Sequence, residues 1–438
     1  MTIRTQAQRV LFVVLVSGCS LANDVFITPL IVTPTQVERG GDVQSMVRKA
    51  DFLRAIEMGD TLTARKRRTA ADLGALGAAE LAAGRYDAAR EHLREAVDLD
   101  PFRTTLSTIA WDLSQVEYLS NNYAASLDWA QVAIDHGMVI KKWHLDYLAA
   151  MSNIDVYRFS GLASERVSLH LGRPDVPRIE THINSGRSVP TVIDSGAVLS
   201  IISQRLATEL NVRRLKVEPG TFFGLLGEPI SVDFGLIDRL DLGEMVIENV
   251  PVAIMPDEKM RFLITNKKEF SMDFLLGANL LKEFRLEFDF SRSSATFTHL
   301  TPLDRRPEAD QNLFMSGFRP VVRGTVNRQG WYLFVLDTGS EVTFLNEASL
   351  GSLPLNIVAP KIHNAMLQGL GGSKKHGAKV ENVEIGVDKW AGTFKALPMY
   401  SSSSAEQERA VGIIGENFMK NFRVVIDFGR MRIDLTKG

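Results

Sequence analysis

Two acidic residues sit in apolar runs where an unpaired charge would be costly. TVIDSGAVLSIIS, residues 191–203, holds Asp194 between β-branched and aliphatic residues, and LFVLDTGSEVTFL, residues 333–345, holds Asp337 in the same setting. A carboxylate buried there alone would cost several kcal/mol. Two carboxylates brought together can instead share one proton, because like charges about 3 Å apart cannot both ionise. The ionised member can then act as general base on a water while the protonated one donates to a carbonyl oxygen. That is chemistry sufficient to hydrolyse an amide without a metal or a covalent nucleophile, and no cofactor is called for.

The surroundings of the two aspartates repeat. The first half of the region runs VPTVIDSGAVLSII, FFGLLGEPI and FLLGANLLKEFRLEFDF; the second runs YLFVLDTGSEVTFL, MLQGLGGSK and VGIIGENFMKNFRVVIDF. Three landmarks recur in order: Asp-Ser/Thr-Gly after a strand, a Gly-rich hairpin, and an apolar pair with Gly, followed by Asn and then Phe-Arg and Asp-Phe. The intervals agree, 83 residues from 194 to 277 against 78 from 337 to 415. Two similar lobes in one chain are expected to meet about a pseudo-two-fold axis, which brings equivalent residues, and so the two aspartates, face to face.

On these motifs, residues 160 to 438 resemble the retropepsin-like aspartic proteases, duplicated within one chain as in the pepsin-like enzymes. The matching pieces are Asp194-Ser195-Gly196-Ala197, Asp337-Thr338-Gly339-Ser340, Leu275-Leu276-Gly277 and Ile413-Ile414-Gly415. The resemblance implies an aspartic endopeptidase with Asp194 and Asp337 as the catalytic pair and a peptide or protein as substrate. It implies that the hydroxyls of Ser195 and Thr338 bond across the axis, that Gly196 and Gly339 permit close approach to the carboxylates, and that Gly277 and Gly415 let a strand thread behind each loop. The Gly-rich hairpins, Gly224 to Gly227 and Gly369 to Gly372 with Gly371 between, resemble flaps that close over substrate, although neither carries the tyrosine of the pepsin flap. The halves differ at Ala197 and Ser340. A Ser340 hydroxyl reaching the Asp337 carboxylate would favour its charged form, so Asp337 is expected to carry more of the negative charge.

Length and composition bound the rest. The chain has 438 residues, 45% hydrophobic and 23% charged, enough for two or three domains, and its formal charge of −2 without a basic tract argues against a nucleic-acid partner. Residues 1–18 combine Arg4 and Arg9 with the apolar run Val10 to Val16, the pattern of a secretory signal. LVSGC resembles the lipobox of bacterial lipoproteins, and Cys19, the sole cysteine, cannot form an internal disulfide. The resemblance implies lipidation at Cys19, a membrane anchor, and, with Ser20 following, the periplasmic face of the outer membrane. Residues 19–42, with two prolines and no helical period, read as a tether.

Residues 43–159 carry helical periodicity. LGAAELAAGRYDAAREHLREAVDLDP resembles a tetratricopeptide repeat, with Gly84-Arg85-Tyr86 at the turn and Ala88 and Ala96 at the close helix contact. A weaker copy has Asn122-Tyr123-Ala124 at its turn, 37 residues on from Tyr86 to Tyr123. Helices near 45–68 and 143–158 would close the stack, and its surface suits a protein partner. The fold class expected is thus multi-domain α plus all-β: a helical-repeat domain over 43–159, then a bilobal β fold with lobes at 160–302 and 303–438. Other site chemistries fit poorly. GLGGSKK at 369–375 precedes a β pattern rather than a helix, Ser195 lacks the glycine of a nucleophile elbow, and the histidines, His170 and His182 among them, form no metal-binding pattern. The competing reading is a peptide-binding or scaffolding lipoprotein that keeps the fold without turnover.

Overall fold

The computed structural model describes residues 10–12, 14–15, 25–30, 41–64, 68–100, 105–172, 174–224, 228–265, 268–355, 361–363, 367–369, 372–374, 377–400 and 409–437. Residues 16–19 of the lipobox, Cys19 among them, and Gly227 and Gly371 lie outside the described residues.

The helical part is α1 (Val43–Arg48), α2 (Phe52–Ala64), α3 (Ala70–Ala82), α4 (Tyr86–Asp98), α5 (Leu106–Leu119), α6 (Tyr123–Asp135) and α7 (Lys142–Met151). In α4 the buried positions are Ala89, Leu93 and Ala96, spaced to line one face. The small residue at the close contact is therefore Ala89, one place beyond the expected Ala88, and opposite it Gly77 of α3 leaves no room for a Cβ against Leu93. Both helical hairpins turn through a left-handed residue, Gly84 at φ +71° and Asn121 at φ +62°, where glycine and asparagine are least penalised.

Each β lobe closes into a ring of strands. In the first, Pro229–Leu242 pairs with Arg178–Ile183, which leads through Ser188–Ile193, Phe274–Leu276, Ser200–Ser203 and Met245–Met255 back to Pro229–Leu242. In the second, Arg319–Val326 leads through Gln329–Leu336, Ala410–Ile414, Phe344–Asn346, Trp390–Tyr400 and Gly377–Val387 back to itself. Closure leaves few free edges in either ring. The lobes join in a five-stranded sheet in which Phe284–Asp289 pairs antiparallel with Arg423–Asp427. The register sets Glu287 opposite Val425, Arg285 opposite Asp427 and Asp289 opposite Arg423. These are the matching positions of FRLEFD and FRVVID, so the pairing is self-complementary about a pseudo-two-fold axis through Glu287 and Val425.

Two expected boundaries shift. The expected tether contains a strand, Val25–Pro29, that pairs antiparallel with Trp390–Phe394 and extends the second lobe's sheet. An extended VFITP segment has free backbone groups that an open sheet edge satisfies. The start of the first lobe at residue 160 falls inside strand Arg158–Gly161, which pairs with Met245–Glu248. One apolar core runs through the helices and the lobes. Phe52 meets Phe314 at 5.4 Å, Tyr118 meets Phe318 at 4.5 Å, and Gln311 Nε2 donates to Ala83 O at 3.0 Å.

Candidate active site

Each aspartate stands at the end of a buried strand whose course is dictated by three-way pairing. Ser188–Ile193 runs parallel to Phe274–Leu276, and Gln329–Leu336 runs parallel to Ala410–Ile414. The last rung is completed by Asp194 N–H donating to Leu276 O at 2.9 Å and Asp337 N–H donating to Ile414 O at 3.1 Å. Immediately behind each loop passes a glycine. A Cβ on Gly277 would strike the Leu199 backbone, and one on Gly415 would strike the backbone of Val342 and Ser340. No other residue fits there without moving main chain.

The two loops meet. Asp194 is wholly buried and Asp337 is 3% exposed, and each carboxyl lies against the glycine of the opposite loop. A Cβ on Gly196 would collide with the Asp337 carboxyl, and one on Gly339 with that of Asp194, so each glycine makes room for the opposite acid. Ser195 and Thr338 interlock in a reciprocal set. Ser195 Oγ donates to Leu336 O (2.7 Å) and accepts from Thr338 N–H (3.1 Å), while Thr338 Oγ1 donates to Ile193 O (2.7 Å) and accepts from Ser195 N–H (3.0 Å). Every hydroxyl in this set spends its donor and an acceptor on the other lobe, which fixes both loops in one mutual position.

Behind the loops lies a second symmetric device with no role assigned from sequence. Asn279 Oδ1 accepts from Ser200 N–H and Oγ, and Ser200 Oγ in turn accepts from Gly277 N–H. Asn417, Thr343 and Gly415 repeat the arrangement. The signal was present: Asn recurs two places after each Gly, and Ser or Thr six places after each Asp.

Electrostatics separates the halves. Burial raises both carboxyls, and Asp194 is driven highest because the Asp337 charge adds to its burial, against which the Ala197 and Gly196 N–H groups work. Asp337 is pushed up to about 7 by burial, opposed by the Gly339 N–H, the Arg319 guanidinium, the neighbouring Asp194 carboxyl and the Ser340 N–H. The Arg319 guanidinium thus favours the charged form of Asp337, and the expected hydroxyl does not. Ser340 Oγ donates to Val342 O at 2.8 Å, since a carbonyl of its own turn lies within reach. Arg319, 4% exposed at the start of its strand, does what the hydroxyl does not. Removing its charge makes the Asp337 proton harder to lose. Arg319→Met is therefore expected to move the acidic limb of a pH–rate profile upward by roughly one unit, whereas Ser340→Ala should leave that limb in place.

Glu416 follows Gly415 where the first lobe has Ala278. Its N–H donates to Ser340 O at 2.8 Å, its side chain is 2% exposed, and Oε1 finds no protein partner among the described residues. Burial, then the charges of Asp175 and Asp337, raises its pKa well above the usual carboxylate range, with Lys420 opposing. A raised folded pKa means the native state holds a proton that the unfolded chain has lost. Stability from this group is full below the unfolded value of about 4.5 and falls as pH rises toward the folded value. Glu416→Gln should therefore stabilise the protein at pH 7–8 by roughly 1–2 kcal/mol in denaturant titrations, with the gain vanishing near pH 4.

The Gly-rich hairpins flank this centre in sequence. Gly220–Gly224 returns through Pro229–Leu242, and Gly224 N–H donates to Glu228 O at 3.1 Å. Leu367–Gly369 pairs with Gly372–Lys374, Gly369 facing Gly372. Both take on an added strand from the N-terminal apolar run. Val10–Phe12 pairs in parallel with Phe222–Gly224, and Val14–Leu15 pairs antiparallel with Gln368–Gly369. The hairpins can thus hold extended backbone by ladder hydrogen bonds.

Residues 179–280 match the family model described as aspartyl protease. That segment holds Asp194, its supporting residues, the first hairpin and Gly277. The chain is similar to two solved structures. One is a retropepsin-like aspartic protease from Rickettsia conorii, at 13% identity, 33% of this chain, 97% of that chain and TM-score 0.23. The other is an aspartic proteinase from Irpex lacteus, at 9% identity, 63% of this chain, 97% of that chain and TM-score 0.39. No curated protein matches the chain.

Proposed function

We propose that the protein is an aspartic endopeptidase in which Asp194 and Asp337 activate one water. The observation that carries this reading is the pair of buried carboxyls, each seated against the opposite loop's glycine, Gly196 or Gly339, and cross-locked by Ser195 and Thr338. In the resting pair Asp337 is ionised and Asp194 holds the shared proton. Water attacks the scissile carbonyl carbon as Asp337 takes its proton, and Asp194 donates to the carbonyl oxygen. Collapse of the tetrahedral diol returns a proton to Asp194, and Asp337 passes its own to the departing amine, so the pair ends as it began. The protons belong to the pair, and a pH profile would report two macroscopic values.

The hairpins supply extended backbone for a peptide, and the paired turns at Gly84 and Asn121 support a tetratricopeptide-like stack able to take a protein partner. LVSGC supports lipidation at Cys19 and export to the periplasmic face of the outer membrane; labelled palmitate in the wild type but not in Cys19→Ala would bear on that part. The decisive experiment for the enzyme is a mixed peptide library incubated with purified protein across acid to neutral pH and read by mass spectrometry. Cleavage carries the proposal. Peptide binding with no cleavage at any pH would replace it with a scaffolding role.

A further inference from the structure

The first hairpin is held from outside its own lobe. Phe222, fully buried in the strand Gly220–Gly224, meets the ring of Trp143 on α7 edge-on at 5.8 Å. Trp143 also stacks on Phe234 of the returning strand, at 5.7 Å and 20°, and Tyr147, one turn along α7, reaches Phe234 at 5.0 Å. Phe222 and Phe234 themselves meet at 6.0 Å. At the base of the hairpin Gly220 lies so close that a Cβ would come within 2.8 Å of Phe234 and 3.4 Å of Trp143. Lys142 adds an ion pair to Glu218 at 3.1 Å, two residues before the strand begins. The other edge of this strand is the one that takes up Val10–Phe12, with Phe222 opposite Val10.

A two-stranded hairpin has little stability of its own, and segments that close over ligands tend to be the least stable parts of a fold. Here the aromatic wedge from α7 adds packing from outside the lobe. We propose that the helical stack braces the first hairpin, and that Trp143 is a positioning residue holding Gly220–Gly224 where the edge that pairs with Val10–Phe12 can accept an extended peptide in that segment's place. The brace rests on the reading of this cleft as a peptide site, but its mechanical part does not depend on turnover. Because it acts on the population of the accepting hairpin before peptide arrives, its loss weakens apparent binding by the fraction of hairpins displaced and leaves the chemistry of bound peptide alone.

The test is amide hydrogen exchange on the intact chain for wild type, Trp143→Ala and Trp143→Phe, paired with peptide kinetics. In Trp143→Ala, exchange in 218–224 should rise about tenfold from the lost ring contacts, while Ser188–Ile193 and Phe274–Leu276 stay as in the wild type. Trp143→Phe keeps a ring and should show a rise of roughly two- to threefold, a readout that stands if the alanine variant fails to fold. KM should rise with the exchange and kcat should hold. Unchanged exchange in 218–224 in both variants, or a rise spread evenly over the first lobe, would overturn the brace. A wild type that cleaves no peptide, yet whose variants show the local rise, would overturn the protease reading and keep the brace.

Discussion

Asp337→Asn is expected to abolish peptide cleavage and at the same time to make the protein more stable near neutral pH. The amide cannot take the proton of the attacking water, and removing the general base of a unit that acts as a pair costs at least about 10³-fold in kcat. Asp194→Asn should fail as completely, since it removes the shared proton and the donor to the carbonyl oxygen. The stability effect has the opposite sign and the same origin. Both carboxyls have folded pKa values raised by burial, Asp337 to about 7 and Asp194 higher. For a raised acid the native state retains a proton that the unfolded chain loses near 3.8, so stability declines as pH climbs from there toward the folded value. Either asparagine variant removes part of that decline. Thermal unfolding at pH 7.5 should show a gain on the order of 1–3 kcal/mol, shrinking to nothing below pH 4. An inactive variant that is also less stable at pH 7.5 would mean that the carboxyls are held apart from one another and individually paired. A variant that still cleaves would remove that aspartate from the chemistry altogether.

Thr338→Ala carries the second large effect, and here structure and activity should fall together. The hydroxyl donates to Ile193 O and accepts from Ser195 N–H, both of them buried and both on the other lobe. Alanine leaves a carbonyl and an N–H without partners where water has no room, and each such group costs about 1–3 kcal/mol. The expected loss is therefore roughly 2–5 kcal/mol in denaturant unfolding, and activity should fall even at temperatures where the variant is folded, because the loops are no longer fixed relative to one another. Ser195→Ala should cost a similar amount, as its hydroxyl bonds Leu336 O and Thr338 N–H. Thr338→Ser keeps the oxygen and should lie within about 1 kcal/mol of the wild type. Because the two hydroxyls lock the same two loops together, the double variant Ser195→Ala/Thr338→Ala should cost less than the sum of the singles. Strict additivity would show that the two hydroxyls act independently and that the loops are held by something else.

Much of the site was legible because it is written twice. An aspartate in an apolar run has several explanations, but the same aspartate followed by Ser/Thr-Gly, and at a matched interval by an apolar pair with Gly and Asn, has few. The self-pairing of FRLEFD with FRVVID follows from that repetition, since matching strands about an axis are self-complementary. The aim of Ser340 was not legible. A serine hydroxyl in a tight turn has several acceptors within reach, and only the path of the turn directs it to Val342 O rather than to the carboxylate. Arg319 was equally hidden, because only the antiparallel register of Arg319–Val326 with Gln329–Leu336 carries it toward 337, and nothing in FRPVVRG marks its first arginine as buried.

By itself, then, the sequence determined which residues could do the chemistry, that they come as a matched pair, and that helices precede strands, because side-chain type and local periodicity carry that information directly. Only the tertiary structure decided that Arg319 rather than the Ser340 hydroxyl favours the charged form of Asp337, that Val25–Pro29 joins a sheet instead of serving as a tether, and that the helical stack shares a core with the lobes and reaches the first hairpin through Trp143. Those outcomes depend on contacts between segments far apart in the chain. Burial, field and packing there are properties of the assembled surroundings, to which no short stretch of residues commits in advance.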